Sequence, residues 1–157
     1  QSGVLARVLP GTTSQALPIL VHLEGDMPPD PLRRLASLGG EDVAKMLRLS
    51  KSDARYLSDV RKAIETQMPP LEAGYRLGLQ KARDIVLLRA AMFEQPVAPA
   101  DLDAAQTGAQ AVFPLRAKDL PHLTGRDLGQ ALKKAEAAWI ASHFALTSDA
   151  LIALSQP

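Results

Sequence analysis

Gly125-Arg126-Asp127-Leu128-Gly129-Gln130-Ala131-Leu132-Lys133-Lys134-Ala135-Glu136-Ala137-Ala138-Trp139-Ile140 is the stretch from which the fold is read. Leu128, Leu132, Ala135, Trp139 and Ile140 recur at helical spacing as one apolar stripe. Gln130, Lys133, Lys134 and Ala137 lie opposite that stripe. Just ahead, Thr124 offers a hydroxyl to the free amides of the first turn, and the two glycines allow a neighbouring backbone to come close. Arg126 at such a helix start admits two readings. One is a phosphate seat, since unpaired amides and the helix dipole both favour an anion; the other is a capped core helix with a solvated basic face. Upstream, Phe113-Pro114-Leu115 reads as an extended apolar entry, and the chain breaks again at Pro121.

Composition carries the helical reading outward from there. Only 4% of the residues are aromatic, alanine and leucine dominate, and runs of β-branched residues are scarce. The chain has 157 residues, enough for one domain with a substantial core or for two small helical lobes. It has no cysteine, which removes disulfide frameworks and thiolate metal sites. No apolar run approaches the roughly 18 residues needed to span a bilayer, and no signal-peptide pattern is present. A formal charge of +1 argues against a strongly basic nucleic-acid clamp while leaving room for a local basic face. Gln1 in place of an initiator Met is read as the start of a cut or processed chain.

In order along the chain, residues 4–9 read as a short apolar turn or helix end, and short helices are expected over residues 15–23, 32–38 and 41–47. Asp30-Pro31 supplies an N-cap followed by proline in the first turn of the third, whose buried side is read as Leu32, Leu35, Ala36 and Leu38. Ser50, with Asp53 three residues on, caps a helix running to about Gln67. Residues 71–94 read as the longest helix, and Gly74-x-x-x-Gly78 on it reads as a close helix-packing site. The proline-marked break over 95–99 is taken as the lobe boundary, giving a body over 1–95 and a tail over 96–157. Short helices over 101–112 and 148–154 complete the tail, and a strand over 112–115 would lack a partner. The expected fold is all-α, an irregular bundle of about seven to nine helices in two lobes.

The same residues resemble a known family. Lys118-Asp119-Leu120, Gly125, Gly129, Leu132, Glu136, Trp139, Phe144, Leu146 and Thr147 are similar, in order and spacing, to the C-terminal region shared by bacterial CCA-adding tRNA nucleotidyltransferases and poly(A) polymerases. Asp30-Pro31-Leu32-Arg33-Arg34-Leu35-Ala36-Ser37-Leu38, Lys45-Met46-Leu47-Arg48-Leu49-Ser50-Lys51 and Tyr75-Arg76-Leu77-Gly78 resemble segments of that family's helical body. The chain departs at Ala117, where the family prefers glycine, and at Thr124 and Arg126, where it prefers proline. The resemblance runs from about Val4 to Leu154. It implies a non-catalytic body and tail that hold the elbow and acceptor arm of tRNA and position its 3′ end. Catalysis would belong to a separate head that binds Mg and CTP or ATP, so no cofactor is expected here. The implied partners are tRNA or another RNA and that head, and the implied location is the cytoplasm.

Two basic clusters fit that expectation. Arg48, Lys51 and Arg55 straddle one helix join, with Lys62 further along; Arg116, Lys118, Arg126, Lys133 and Lys134 decorate the C-terminal stretch. Lysine and arginine placed this way meet phosphates and recognise the shape of an RNA duplex. Interleaved Asp53, Asp59, Asp119 and Asp127 equally suit a solvated, ion-paired surface. No catalytic set is found. Asp101-Leu102-Asp103 opens a helix with no Gly-Ser turn or strand around it, which suits dipole and cap chemistry better than two-metal catalysis. His22, His122 and His143 have no metal-ligand spacing, so no metal site is expected. A rival reading is a helical protein–protein interaction module with no RNA role. A self-contained enzyme is disfavoured, because no nucleophile, base and orienter are grouped.

Overall fold

The computed structural model describes residues 3–155, the side chain of Ala6 excepted. It is all-α, and among the described residues there is no strand, only an isolated bridge between Thr12 and Gly39. The chain divides into two compact units, Gln1–Gln110 and Ala111–Pro157. The first holds α1 (Val4–Val8), α2 (Ala16–Glu24), α3 (Pro31–Leu38), α4 (Val43–Met46), α5 (Lys51–Glu65), α6 (Pro70–Leu77), α7 (Leu79–Met92) and α8 (Pro99–Gln110). The second holds a 3-10 turn (Ala117–Asp119), α9 (Gly125–Ala141) and α10 (Ser148–Leu154).

In the first unit, α7 is the helix the others pack around. Ala82, Ile85, Val86, Leu87, Leu88, Ala90 and Ala91 are all buried, so apolar side chains cover most of its circumference, as a central helix requires. Helices α2, α3, α5, α6 and α8 all pack on it. Leu20, Val60, Ala63, Ala73 and Ala105 close the core around Ile85 and Leu88. Each fully buried aliphatic side chain of this size contributes about 1.5–3 kcal/mol.

A central helix cannot bury a carboxylate without partners, yet Asp84 of α7 is fully buried. Its partners come from three helices. Arg33 of α3 donates from Nη1 to Asp84 Oδ1 at 2.9 Å, and Tyr56 of α5 donates its hydroxyl to Oδ2 at 2.8 Å. Gln80, one turn back on α7, adds longer contacts at 3.2 and 3.3 Å. The other side of the Arg33 guanidinium holds Glu24 of α2, with Nε at 2.9 Å from Oε1, and its Nη2 donates to the Pro28 carbonyl. Arg34 closes the set with 3.0 and 2.6 Å bonds to Glu24 Oε2. Burial opposes ionisation of Glu24, but the bonds and charges of Arg34 and Arg33 outweigh it and hold the carboxyl below the usual carboxylate range. Burial also opposes the Arg33 charge, and Asp84 and Glu24 more than restore it. Burial and the Asp84 charge push the Tyr56 phenol well above its ordinary value. No buried side-chain polar atom among the described residues lacks a partner.

Five expectations are corrected. The buried face of α3 carries Arg33 and Ser37, while Leu32, Leu35, Ala36 and Leu38 are half-buried. The helix expected over 71–94 is two helices, α6 and α7, divided at Gly78, whose φ of +85° lies in the left-handed region where glycine is unstrained. Close helix packing involves Gly74 but not Gly78. A Cβ on Gly74 would lie 2.1 Å from the Ala105 carbonyl oxygen, and one on Gly108 would lie 1.9 Å from that of Leu71. These two glycines let α6 and α8 pack backbone to backbone, which carries α8 into the first unit and moves the division from the break over 95–99 to beyond Gln110. The fifth concerns Thr124. It sits at the N-cap of α9 but makes no side-chain cap hydrogen bond. The Asp30 and Ser50 caps do form, accepting from the backbone N–H of Arg33 at 2.8 Å and of Asp53 at 3.1 Å.

Candidate nucleic-acid interface

The second unit is built under the α9 stripe. Ala135, Trp139 and Ile140 are buried, Leu128 and Leu132 are half-buried, and Leu115, Leu120 and Leu151 complete the core. Phe113 meets Trp139 edge-on with ring centroids 5.5 Å apart, and Phe144 lies tilted over Trp139 at 4.3 Å. The entry segment 112–115 is extended and unpaired, and its Phe113 and Leu115 point to this core as a strand-less apolar anchor. That packing fixes the rotation of α9. Arg126, Gln130, Lys133, Lys134 and Ala137 consequently form one exposed face.

On the same unit, Arg116 and Lys118 are exposed at the 3-10 turn. Asp119 forms an ion pair with neither: its Oδ2 accepts from the backbone N–H of Arg116 at 2.7 Å, capping the turn. Arg116, Lys118, Arg126, Lys133 and Lys134 make no ion pair with any described residue.

The first unit presents Arg48, Lys51 and Arg55, all exposed, at the α4–α5 join and the first turns of α5. Helix α5 is held from its other side. Val60 and Ala63 enter the core, Tyr56 bonds to Asp84, and Asp59 takes Lys81 of α7 at 2.5 Å. Arg55 reaches the same Asp59 only at 3.9 Å and is 83% exposed, so this contact is weak and leaves the guanidinium to solvent. Arg48 has a φ of +50°, and the Leu49 N–H returns to the Ala44 carbonyl at 2.9 Å, the closing bond of a left-handed helix end. Lys62, on the same helix, is exposed as well.

The residues set aside as catalytic or metal-binding candidates are not brought together. Asp101 is exposed in the first turn of α8 and Asp103 just beyond it, and His22, His122 and His143 are exposed on separate elements. Among the described residues no group of three His, Asp or Glu side chains is placed to hold a metal ion. Nor is any helix long and apolar enough to cross a membrane. Each unit thus presents its own set of exposed cations, Arg48, Lys51 and Arg55 on the first and Arg116, Lys118, Arg126, Lys133 and Lys134 on the second.

The sequence reading missed the Arg33–Glu24–Asp84–Tyr56 set. Its one visible signal was Asp84 at the head of the apolar run Ile85-Val86-Leu87-Leu88, an acid entering a stretch that reads as core. No family model, no curated protein and no solved structure matches this chain.

Proposed function

We propose that this chain is the non-catalytic body and tail of a bacterial CCA-adding tRNA nucleotidyltransferase or poly(A) polymerase, acting in the cytoplasm. It grips the elbow and acceptor arm of tRNA through phosphate contacts and so positions the 3′ end for a separate head that carries Mg and CTP or ATP. The observation that carries this reading is the exposed row Arg126, Lys133 and Lys134 on α9, with Lys118 on the preceding turn, none engaged by an acid among the described residues. These side chains belong to the stretch whose residues resemble the family's tail, and the body motifs stand in the family's order ahead of it.

Phosphate contact of this kind reads duplex shape and carries no base code. Orienting a substrate end supplies much of a reaction's advantage without contributing a catalytic group. The test is to replace Lys118, Arg126, Lys133 and Lys134 together with alanine and measure tRNA affinity against salt. The dependence of log K on log salt should flatten by about three units, since each lost phosphate contact removes about 0.7–0.9. Unchanged affinity and slope would remove these four residues from the interface.

A second reading has one observation in its favour. An apolar cavity of about 180 Å³, lined by Leu35, Val43, Leu57, Ile64 and Met92 among others, opens among α3, α4, α5 and α7. A protein–protein interaction module would use such a surface, and its binding would be insensitive to salt.

A further inference from the structure

A second cavity, of about 230 Å³, lies where the end of α5 meets the last turns of α7 and the start of α8. Roughly 150 Å³ suffices to admit benzene, so this space takes a flat ring with polar substituents. It is lined by both apolar and polar groups, among them Phe93, Pro96, Arg89, Asp101, Gln67 and Gln95.

Phe93 stands at the C-terminus of α7 and is 58% exposed, a large apolar ring left uncovered beside a cavity. Arg89, one turn earlier, is fixed rather than mobile. Its Nη1 donates to the Met68 carbonyl at 2.8 Å and its Nη2 to that of Ala63 at 2.6 Å, capping the end of α5. The capping bonds leave further N–H groups of the fork for another acceptor. Asp101 also lines the cavity, and its carboxylate makes no ion pair with Arg89. Burial lowers the Arg89 pKa and the Asp101 charge opposes that, so the two groups sense each other without touching.

A cavity with an exposed aromatic face, a fixed N–H donor and a separate carboxylate acceptor matches one ligand chemistry: a flat ring whose edge presents a hydrogen-bond acceptor beside a donor. Carboxylates and guanidinium groups read such edges, and aromatic faces stack on such rings irrespective of sequence. We infer that this cavity binds a nucleobase, stacked on Phe93, with its polar edge shared between Arg89 and Asp101. The site takes an unpaired base, a free nucleoside or one splayed from a strand. It therefore goes beyond the duplex-phosphate grip and does not rest on it.

The experiment uses the whole chain with two probes. Free nucleosides are followed by saturation-transfer NMR, and short single-stranded homo-oligoribonucleotides by fluorescence anisotropy. Both are measured on the parent chain and on Phe93→Ala, Phe93→Tyr and Asp101→Asn. Phe93 and Asp101 are exposed, and far-UV circular dichroism checks that each variant keeps its fold.

The expected result is binding by the parent chain, weakened about ten-fold in Phe93→Ala and retained in Phe93→Tyr. Asp101→Asn should alter the order of preference among the four bases. Nucleoside binding identifies a free-ligand pocket, and binding of oligomers alone identifies a strand pocket; either supports the site. Equal binding by Phe93→Ala, or no binding of either probe, overturns it. A tRNA interface that fails the four-residue test on α9 leaves this outcome unaffected, since the probes here have no duplex arm.

Discussion

Removing the Arg33 guanidinium would leave two carboxylates, Glu24 and Asp84, buried without the cation they share. Breaking a buried ionic set from one side costs about 3–5 kcal/mol, far more than the intact set adds over apolar packing. Arg33→Met should therefore lower the urea unfolding free energy of the first unit by that amount, whereas Arg34→Ala, at a side chain 38% exposed, should cost much less. Equal effects at the two positions would mean that the set is not the anchor of this core. The same residues fix the pH response. Glu24 titrates below the ordinary carboxylate range in the fold, so its contribution is present above about pH 4.3 and is lost as pH falls through the lower folded value. Tyr56 is shifted the other way, so its contribution is present below about pH 10 and is lost as pH rises beyond that. Tyr56→Phe should remove that alkaline loss in a stability-versus-pH series while costing about 1–3 kcal/mol at neutral pH, because Oδ2 of the buried Asp84 would keep only the longer Gln80 contact at 3.3 Å. Apart from Asp84 at the head of an apolar run, none of this was legible from local pattern. Helical spacing marks leucines as the buried side of α3, and the acids that claim Arg33 lie 9 and 51 residues away in sequence.

Helix ends were the least legible elements, and the reason is specific. Arg48, Gln67, Glu94 and His143 all hold positive φ just past α4, α5, α7 and α9. Each is followed by a residue whose N–H returns five positions, as Met68 does to Ala63 and Gln95 to Ala90. These are left-handed helix ends made without glycine, so the usual stop signal is missing. Where glycine is present its roles diverge. Gly74 and Gly108 form a close helix crossing, Gly78 makes a join, and Gly129 has nothing within 4 Å of a built Cβ. Gly74→Ala or Gly108→Ala should destabilise the first unit by about 1–3 kcal/mol or more, because the obstacle is backbone and cannot rotate away. Gly129→Ala, on an open face within α9, should stabilise by about 0.5–1 kcal/mol through helix propensity alone. Thermal melting of the three variants separates these roles, and a neutral Gly74→Ala would mean that α6 and α8 do not cross this closely. The α9 stripe, by contrast, was readable because its apolar period is unbroken from Leu128 to Ile140, and the exposure of its basic face followed from that period alone.

At the scale of the whole molecule, composition was enough for the all-α class, since a chain rich in alanine and leucine and poor in aromatic and β-branched residues has little from which to build a sheet. The division into units was not, because a proline break reads as a boundary unless the glycines that dock α8 onto α6 are matched across the gap. Charge shows the same contrast. A net of +1 conceals eight exposed cations in two sets, of which only Arg55 lies within 4 Å of an acid, Asp59, among the described residues. The central proposal, that these cations hold the duplex arm of a tRNA, is tested most directly by fluorescence-anisotropy binding of this chain to tRNA across a salt series, with and without the terminal CCA. The expected result is binding that weakens steeply with salt and survives removal of the CCA. Absence of binding at low salt, or affinity indifferent to salt, would contradict it.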